Sequence, residues 1–315
     1  MRRLVALVLL LVLVAGCGDE KPASPSSSPP PARPVTVALD FVPNPVHAPI
    51  YLAGDAVKIQ KPGSGPDGLK LVTSGKVELG VLDIHDLAIA REAGTDVVAV
   101  GALVGKPLAA LVAQPDITRP RDLEGRTVGV SGLPSDPAFL QAIVGHDGGD
   151  VSKIKQVTIG FNAVSRLLTK RVDAVPVFWN AEGVALKQRG LEAKEFRVED
   201  YGAPPYPEVV FFTSRATLDA ERDRIAGALD AIAGGLEAAR ARPEEAVDVI
   251  AKAAETDDRE LVRAQVDAVL PIFADGLKLD RAVLERWADF DAEIGLVKER
   301  PDVDATFDFS VRAEG

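Results

Sequence analysis

Residues 120–131 read PRDLEGRTVGVS, and the chain changes register inside this stretch. Asp122-Leu123-Glu124-Gly125 suits one helical turn stopped by glycine, and Arg126 to Val130 suits a fresh strand. A first strand this far along the chain opens a second α/β unit. Downstream, the pattern predicts a helix from about Pro137, a strand over Lys155–Ile159, a helix over Ala163–Lys170, a strand over Asp173–Phe178 and a helix over Ala181–Gln188. Upstream, strands are predicted over Val35–Phe41, Val57–Gln60 and Glu78–Asp83, with helices over Pro66–Ser74 and from Asp83 through Ala93. Val97–Ala113 carries two more strands, broken near Gly105-Lys106-Pro107. After Glu208–Thr213 (EVVFFT), again a strand, helical spacing takes over in Ala216–Ala241, Pro243–Ala254, Asp258–Val269 and Asp280–Ile294. Alternating β-branched and helical runs predict parallel α/β architecture. The plan is two lobes: residues 35–113 and 206–315 form lobe I, and residues 114–205 form lobe II, inserted in the first. A cleft between such lobes, beyond the carboxyl ends of the strands, is where a small molecule sits.

The N-terminal seventeen residues, MRRLVALVLLLVLVAGC, pair two arginines with an apolar run too short to span a bilayer, which needs about 20 residues. They read as a secretory signal peptide, and Val14-Ala15-Gly16-Cys17 reads as a bacterial lipobox. Cys17 is the sole cysteine, so no intrachain disulfide exists and lipidation accounts for it; an ordinary signal peptide with a chance cysteine is the alternative. Residues 18–34, GDEKPASPSSSPPPARP, are too rich in proline and serine for a core and read as a tether. The expected location is extracytoplasmic, lipid-anchored to the cell membrane. A net charge of −11 argues against nucleic acid or an anionic lipid surface as partner. Three scattered histidines and no second cysteine argue against a zinc-type metal site. No phosphate-binding glycine loop, nucleophile elbow or repeat is present.

Residues 37–53, VALDFVPNPVHAPIYLA, crowd polar and aromatic groups behind the first strand. Leu39, Asp40, Phe41, Pro43, Asn44, His47 and Tyr51 match the opening pattern of the type 2 periplasmic-binding proteins of the thiamine pyrimidine-precursor group, with Phe41 replacing a tryptophan. Thr73–Gly80, Asp122–Val130, Gly160-Phe161-Asn162, Arg171–Ala174, Phe178–Gly183, Trp287 and Ile294-Gly295-Leu296 also fit. The chain therefore resembles that family, which includes ABC-importer substrate-binding subunits and the fungal hydroxymethylpyrimidine phosphate synthases. One departure is a missing helix: the family continues helically after the tyrosine, whereas Leu52-Ala53 here runs almost directly into Gly54-Asp55-Ala56-Val57.

The resemblance implies a two-lobed type 2 periplasmic-binding fold with a helical C-terminal part. It also implies a small-molecule ligand in the cleft, ABC permease subunits as partners, membrane attachment through the N-terminal lipid, a monomer, and no cofactor. Phe41, Tyr51 and Trp179 offer stacking faces; Asp40, Asn44, Asn180 and Glu182 offer in-plane hydrogen bonds. Asn44 equally suits shaping a turn, and His47 capping a helix. Ser131 and Ser135 flank a helix start that suits an anion or carbonyl oxygen, or else a plain N-cap. Tyr206 lies where the chain returns to lobe I, as hinge or lining. His85 sits near the histidine that the fungal synthases consume, but Leu82 replaces their lysine and Val209–Thr213 carries no cysteine. His85 is thus expected to line the pocket or cap the next helix, and the protein to be a binding protein and not an enzyme. A thiamine pyrimidine precursor is the expected ligand; a flavin, purine, sulfonate or nitrate remains as the alternative.

Overall fold

The computed structural model describes residues 33–63 and 67–312. The leader 1–17, lipidation of Cys17 and all but the last two residues of the tether lie outside the described residues. Along the chain run β1 (Val35–Ala38), α1 (Ala48–Tyr51), β2 (Val57–Gln60), α2 (Gly68–Thr73), β3 (Leu79–Asp83) and α3 (Ile84–Glu92). Next come β4 (Val97–Val104), β5 (Ala109–Ala113), β6 (Thr127–Val130), α4 (Asp136–Leu140), β7 (Lys155–Thr158), α5 (Ala163–Leu168), β8 (Ala174–Phe178), α6 (Val184–Gln188), β9 (Lys194–Arg197) and β10 (Val209–Ser214). Helices α7 (Arg215–Ala241), α8 (Pro243–Ala253), α9 (Arg259–Val269), α10 (Arg281–Glu293) and α11 (Val303–Thr306) close the chain.

The strands form two five-stranded sheets, ordered β2-β1-β3-β10-β4 and β7-β6-β8-β5-β9. The second sheet is one continuous piece of chain, inserted between parts of the first. Two expectations need correction. The strand Ala109–Ala113, assigned to lobe I, pairs with β8 and β9 in the second sheet. The break at Gly105-Lys106-Pro107 is therefore a crossing between lobes. The sheets are also mixed: β10 runs antiparallel to β3 and β4, and β5 antiparallel to β8 and β9. In each sheet, one strand adjoining a crossing runs against its neighbours.

β10 sits inside its sheet with both faces covered, which is why EVVFFT reads as an unbroken apolar run. Val209 and Phe211 join the core beneath α7, with Leu229, Ile232 and Leu236. Val210 and Phe212 join the opposite core, with Leu284 and Trp287 of α10. Each phenylalanine is fully buried, a contribution of about 1.5–3 kcal/mol apiece.

The missing helix has a structural answer. After α1 the chain makes a single 3-10 turn over Gly54–Ala56 and enters edge strand β2. Helix α7 closes over the shortened corner, and Gly235 permits the contact: a Cβ there would lie 2.2 Å from the Pro49 carbonyl oxygen. At the predicted stop, Gly125 takes φ 78° after the turn Pro120–Leu123, a value that favours glycine.

Candidate functional site

The crowded stretch after β1 folds through its own side chains. Asn44 Oδ1 accepts the Val46 N–H at 2.9 Å and caps a 3-10 turn over Pro45–His47. His47 is fully buried beneath that turn. Its Nδ1 accepts the Asn44 N–H at 3.3 Å, which leaves Nε2–H to donate to Asp40 Oδ1 at 2.8 Å. Asp40 is thus held by a histidine that does not itself reach the cleft. The turn-making reading of this stretch holds for Asn44 and His47.

Between the lobes lies a cavity of about 500 Å³. Asp40, Phe41, Asn44, Asp83 and Asp86 line it from the first lobe, and Ser131, Ser135, Asp136, Phe161 and Glu182 from the second. The Phe41 and Phe161 rings meet across the cleft with centroids 4.1 Å apart and planes at 57°. Asp86 in the first turn of α3 accepts the Ser135 N–H at 3.2 Å, a second contact between lobes. Glu182 is placed by a π-helical turn, Trp179–Gly183, and its Oε2 accepts the Phe178 N–H at 3.3 Å.

Of the residues expected at the site, Asp40, Phe41, Asn44, Ser131, Ser135 and Glu182 line the cavity. The others do not. Tyr51 packs against the apolar clusters of α7, α8 and α9. Trp179 donates its indole N–H to the Pro107 carbonyl at 3.1 Å, with the Arg197 guanidinium 4.0 Å from its ring, and so braces a lobe crossing. Asn180 is fully buried, with neither amide atom hydrogen-bonded within the described residues. Tyr206 is buried and stacks on Phe290, its ring edge-on to His85 at 4.7 Å. His85 lies behind the wall, bonded to Asp291, and is treated below.

The expected anion or carbonyl site at Ser131–Ser135 is already filled by the protein's own carboxylate. Asp136 Oδ2 accepts the N–H groups of Gly132 and Leu133 at 2.7 and 3.1 Å, and Ser131 Oγ donates to the same side chain at 3.0 Å. Asp83, Asp86, Asp136 and Phe161 were not singled out as site residues. Their sequence signals were present in Asp83-Ile84-His85-Asp86, which follows a buried strand, and in Gly160-Phe161-Asn162, which matches the family pattern.

Five acidic residues therefore line one cavity, and no lysine, arginine or histidine is among its described lining residues. Burial pushes Glu182 above its ordinary value, and neighbouring Asp40 adds to this. Burial also raises Asp136, against the pull of the N–H donors around it. Asp86 is pushed up to about 6, again chiefly by burial and against hydrogen bonds from Ser135. Such a lining repels anions and favours groups that donate N–H.

The chain is similar to known proteins over most of its length. Residues 44–246 match the family model described as NMT1/THI5 like. A formylaminopyrimidine-binding protein from Halalkalibacterium halodurans is 29% identical over 260 residues, covering 79% of this chain and 78% of that protein. Among solved structures, the periplasmic aliphatic sulphonate binding protein SsuA from Escherichia coli superposes with a TM-score of 0.69 at 18% identity, covering 87% of this chain and 91% of that one. The Candida albicans CA3427 gene product, of generic periplasmic-binding-protein fold, gives 0.66 at 19% identity over 88% and 96%. Two lobes, an interlobe cavity and the matched 44–246 segment together place the chain: it belongs to the NMT1/THI5-like family and has the periplasmic-binding-protein fold.

Proposed function

We propose that this protein is the substrate-binding component of an ABC importer, held outside the cell membrane by a lipid on Cys17, and that it captures an aminopyrimidine of the thiamine-precursor kind. The observation that carries the reading is the cavity wall: Asp40, Asp83, Asp86, Asp136 and Glu182, with Asn44 and the Phe41–Phe161 pair, and no cationic side chain among its described lining. A flat heterocycle with amino groups and ring nitrogens offers N–H donors to carboxylates and π-faces to aromatic rings. A sulfonate or nitrate ion offers neither and meets like charge. The relative that binds formylaminopyrimidine, by its name, supports the same ligand class. Nothing in this arrangement calls for a reaction; capture, closure and hand-over to a permease account for it. A cavity of about 500 Å³ exceeds one pyrimidine ring and supports a purine as the second reading.

The test is calorimetry and thermal shift on refolded, ligand-stripped protein, with aminopyrimidines including formylaminopyrimidine, then purines, flavins, sulfonates and nitrate. At about 100 times Kd a ligand stabilises by roughly 2.7 kcal/mol, a shift of several degrees. Aminopyrimidine binding without sulfonate binding is the expected result. Binding of sulfonate or nitrate instead overturns the reading.

A further inference from the structure

Behind the cavity wall, donor atoms from three side chains converge where the chain crosses between lobes. Asp83 ends β3, His85 opens α3 and Glu208 precedes β10; their ligating atoms all lie within 4.8 Å of one another. His85 and Glu208 are fully buried and Asp83 nearly so.

The histidine is oriented from behind. Its Nδ1 lies 2.7 Å from Asp291 Oδ1 in α10, so Nδ1–H donates and, in the neutral imidazole, the lone pair resides on Nε2. Nε2 has no hydrogen-bond partner among the described residues, and neither has Glu208 Oε1. The other Glu208 oxygen is held by the N–H groups of Leu108 and Ala109, and Asp83 Oδ1 by the His85 N–H at 2.8 Å. A carboxylate fixing one imidazole nitrogen so that the other presents its lone pair is the arrangement found around metal-bound histidines. Three buried carboxyls, counting Asp291, surround this single imidazole, and each needs either a proton or a counter-charge.

We propose that Asp83, His85 and Glu208 form a divalent-cation site of the zinc–manganese class. One imidazole nitrogen with two carboxylates suits either ion. Asp83 also lines the cavity, which gives the ion its way in. A cation here ties the end of β3, the start of α3 and the segment entering β10 together at the base of the cleft. Asp291 is a positioning residue for His85.

The experiment strips the purified protein with a chelator, dialyses it, and titrates ZnCl2 and MnCl2 separately by calorimetry, with elemental analysis after gel filtration. The expected result is one equivalent of one of the two ions, tightly held and raising the melting temperature. Asp291→Asn should weaken that affinity about 10–100-fold. Glu208→Gln keeps an acceptor for the Leu108 N–H yet should lose the ion. X-ray absorption on the loaded wild type needs no variant and should show one imidazole with oxygen ligands. Absence of stoichiometric ion from folded wild type, or equal affinity in folded Glu208→Gln, overturns the site and leaves Asp83 and Glu208 sharing a proton. None of these readouts involves the pyrimidine ligand, so the two proposals fail separately.

Discussion

His47 uses both ring nitrogens on its own loop, accepting from Asn44 and donating to Asp40. Truncation in His47→Ala leaves that N–H and carboxylate unpaired above a cavity. The expected cost is about 2–4 kcal/mol in urea unfolding, together with weaker ligand binding because Asp40 is no longer held. Glu182→Gln should behave differently. It keeps the shape of a cavity-facing carboxylate while removing its charge, so stability should hold while affinity falls about ten- to a hundredfold by calorimetry. At this scale the sequence marked stretches that reach the cavity, but not always through the side chains it singled out. Asp40 and Glu182 face the cavity as their motifs suggested, while Tyr51, Trp179 and Asn180 from the same motifs turn away. Which way a side chain points depends on whether the backbone makes a 3-10, α or π turn, and a π turn such as Trp179–Gly183 leaves no period for a pattern to reveal.

Elements were more legible than residues, because burial on two faces or one leaves a periodic record. The long amphipathic helices and the strand EVVFFT were readable from spacing alone. β9 was not: in KEFR only Phe196 is buried, so an edge strand leaves too little apolar signal. Nor could spacing assign β5 to a sheet, since five fully buried residues look alike in either lobe. The packing of α1 under α7 rests on the missing side chain of Gly235. Gly235→Ala should raise intrinsic helix propensity yet destabilise by about 1–3 kcal/mol, because the methyl group would displace α1. Chemical denaturation reads the sign directly; a more stable variant would mean that α7 shifts freely.

Across the whole molecule, charge sets two opposing pH dependences. Glu182 and Asp136 are raised by burial, so the folded form keeps protons that the unfolded chain has released; their stabilising effect is lost as pH rises above their ordinary 4.5 and 3.8. Asp147, beside Arg119, and Asp308, beside Arg222, are both held at about 2, and their contribution is lost as pH falls from 3.8 toward that value. Burial opposes the shift of Asp308, and Arg222 and the Ser310 hydroxyl and N–H together outweigh it. Unliganded protein should therefore be most stable on the acid side of neutrality when unfolding is followed from about pH 3 to 8. Ligand affinity should run the other way over the upper part of that range, because an ionised carboxylate accepts an N–H more strongly than its protonated form. A ligand that bound equally well at both ends would not be held by these groups.

The order of the first sheet has a consequence for a chain made from its N-terminus. β10 lies between β3 and β4, so β3 has only β1 beside it, and β4 has no strand partner among the described residues, until residues 209–214 arrive. The second sheet, by contrast, is complete once β9 ends at residue 197. A nascent chain halted between those points carries one finished lobe beside a sheet split in two, with open strand edges that invite wrong pairing. Translation thus imposes a sequence of events on assembly: the inserted lobe is born first, and its host closes last.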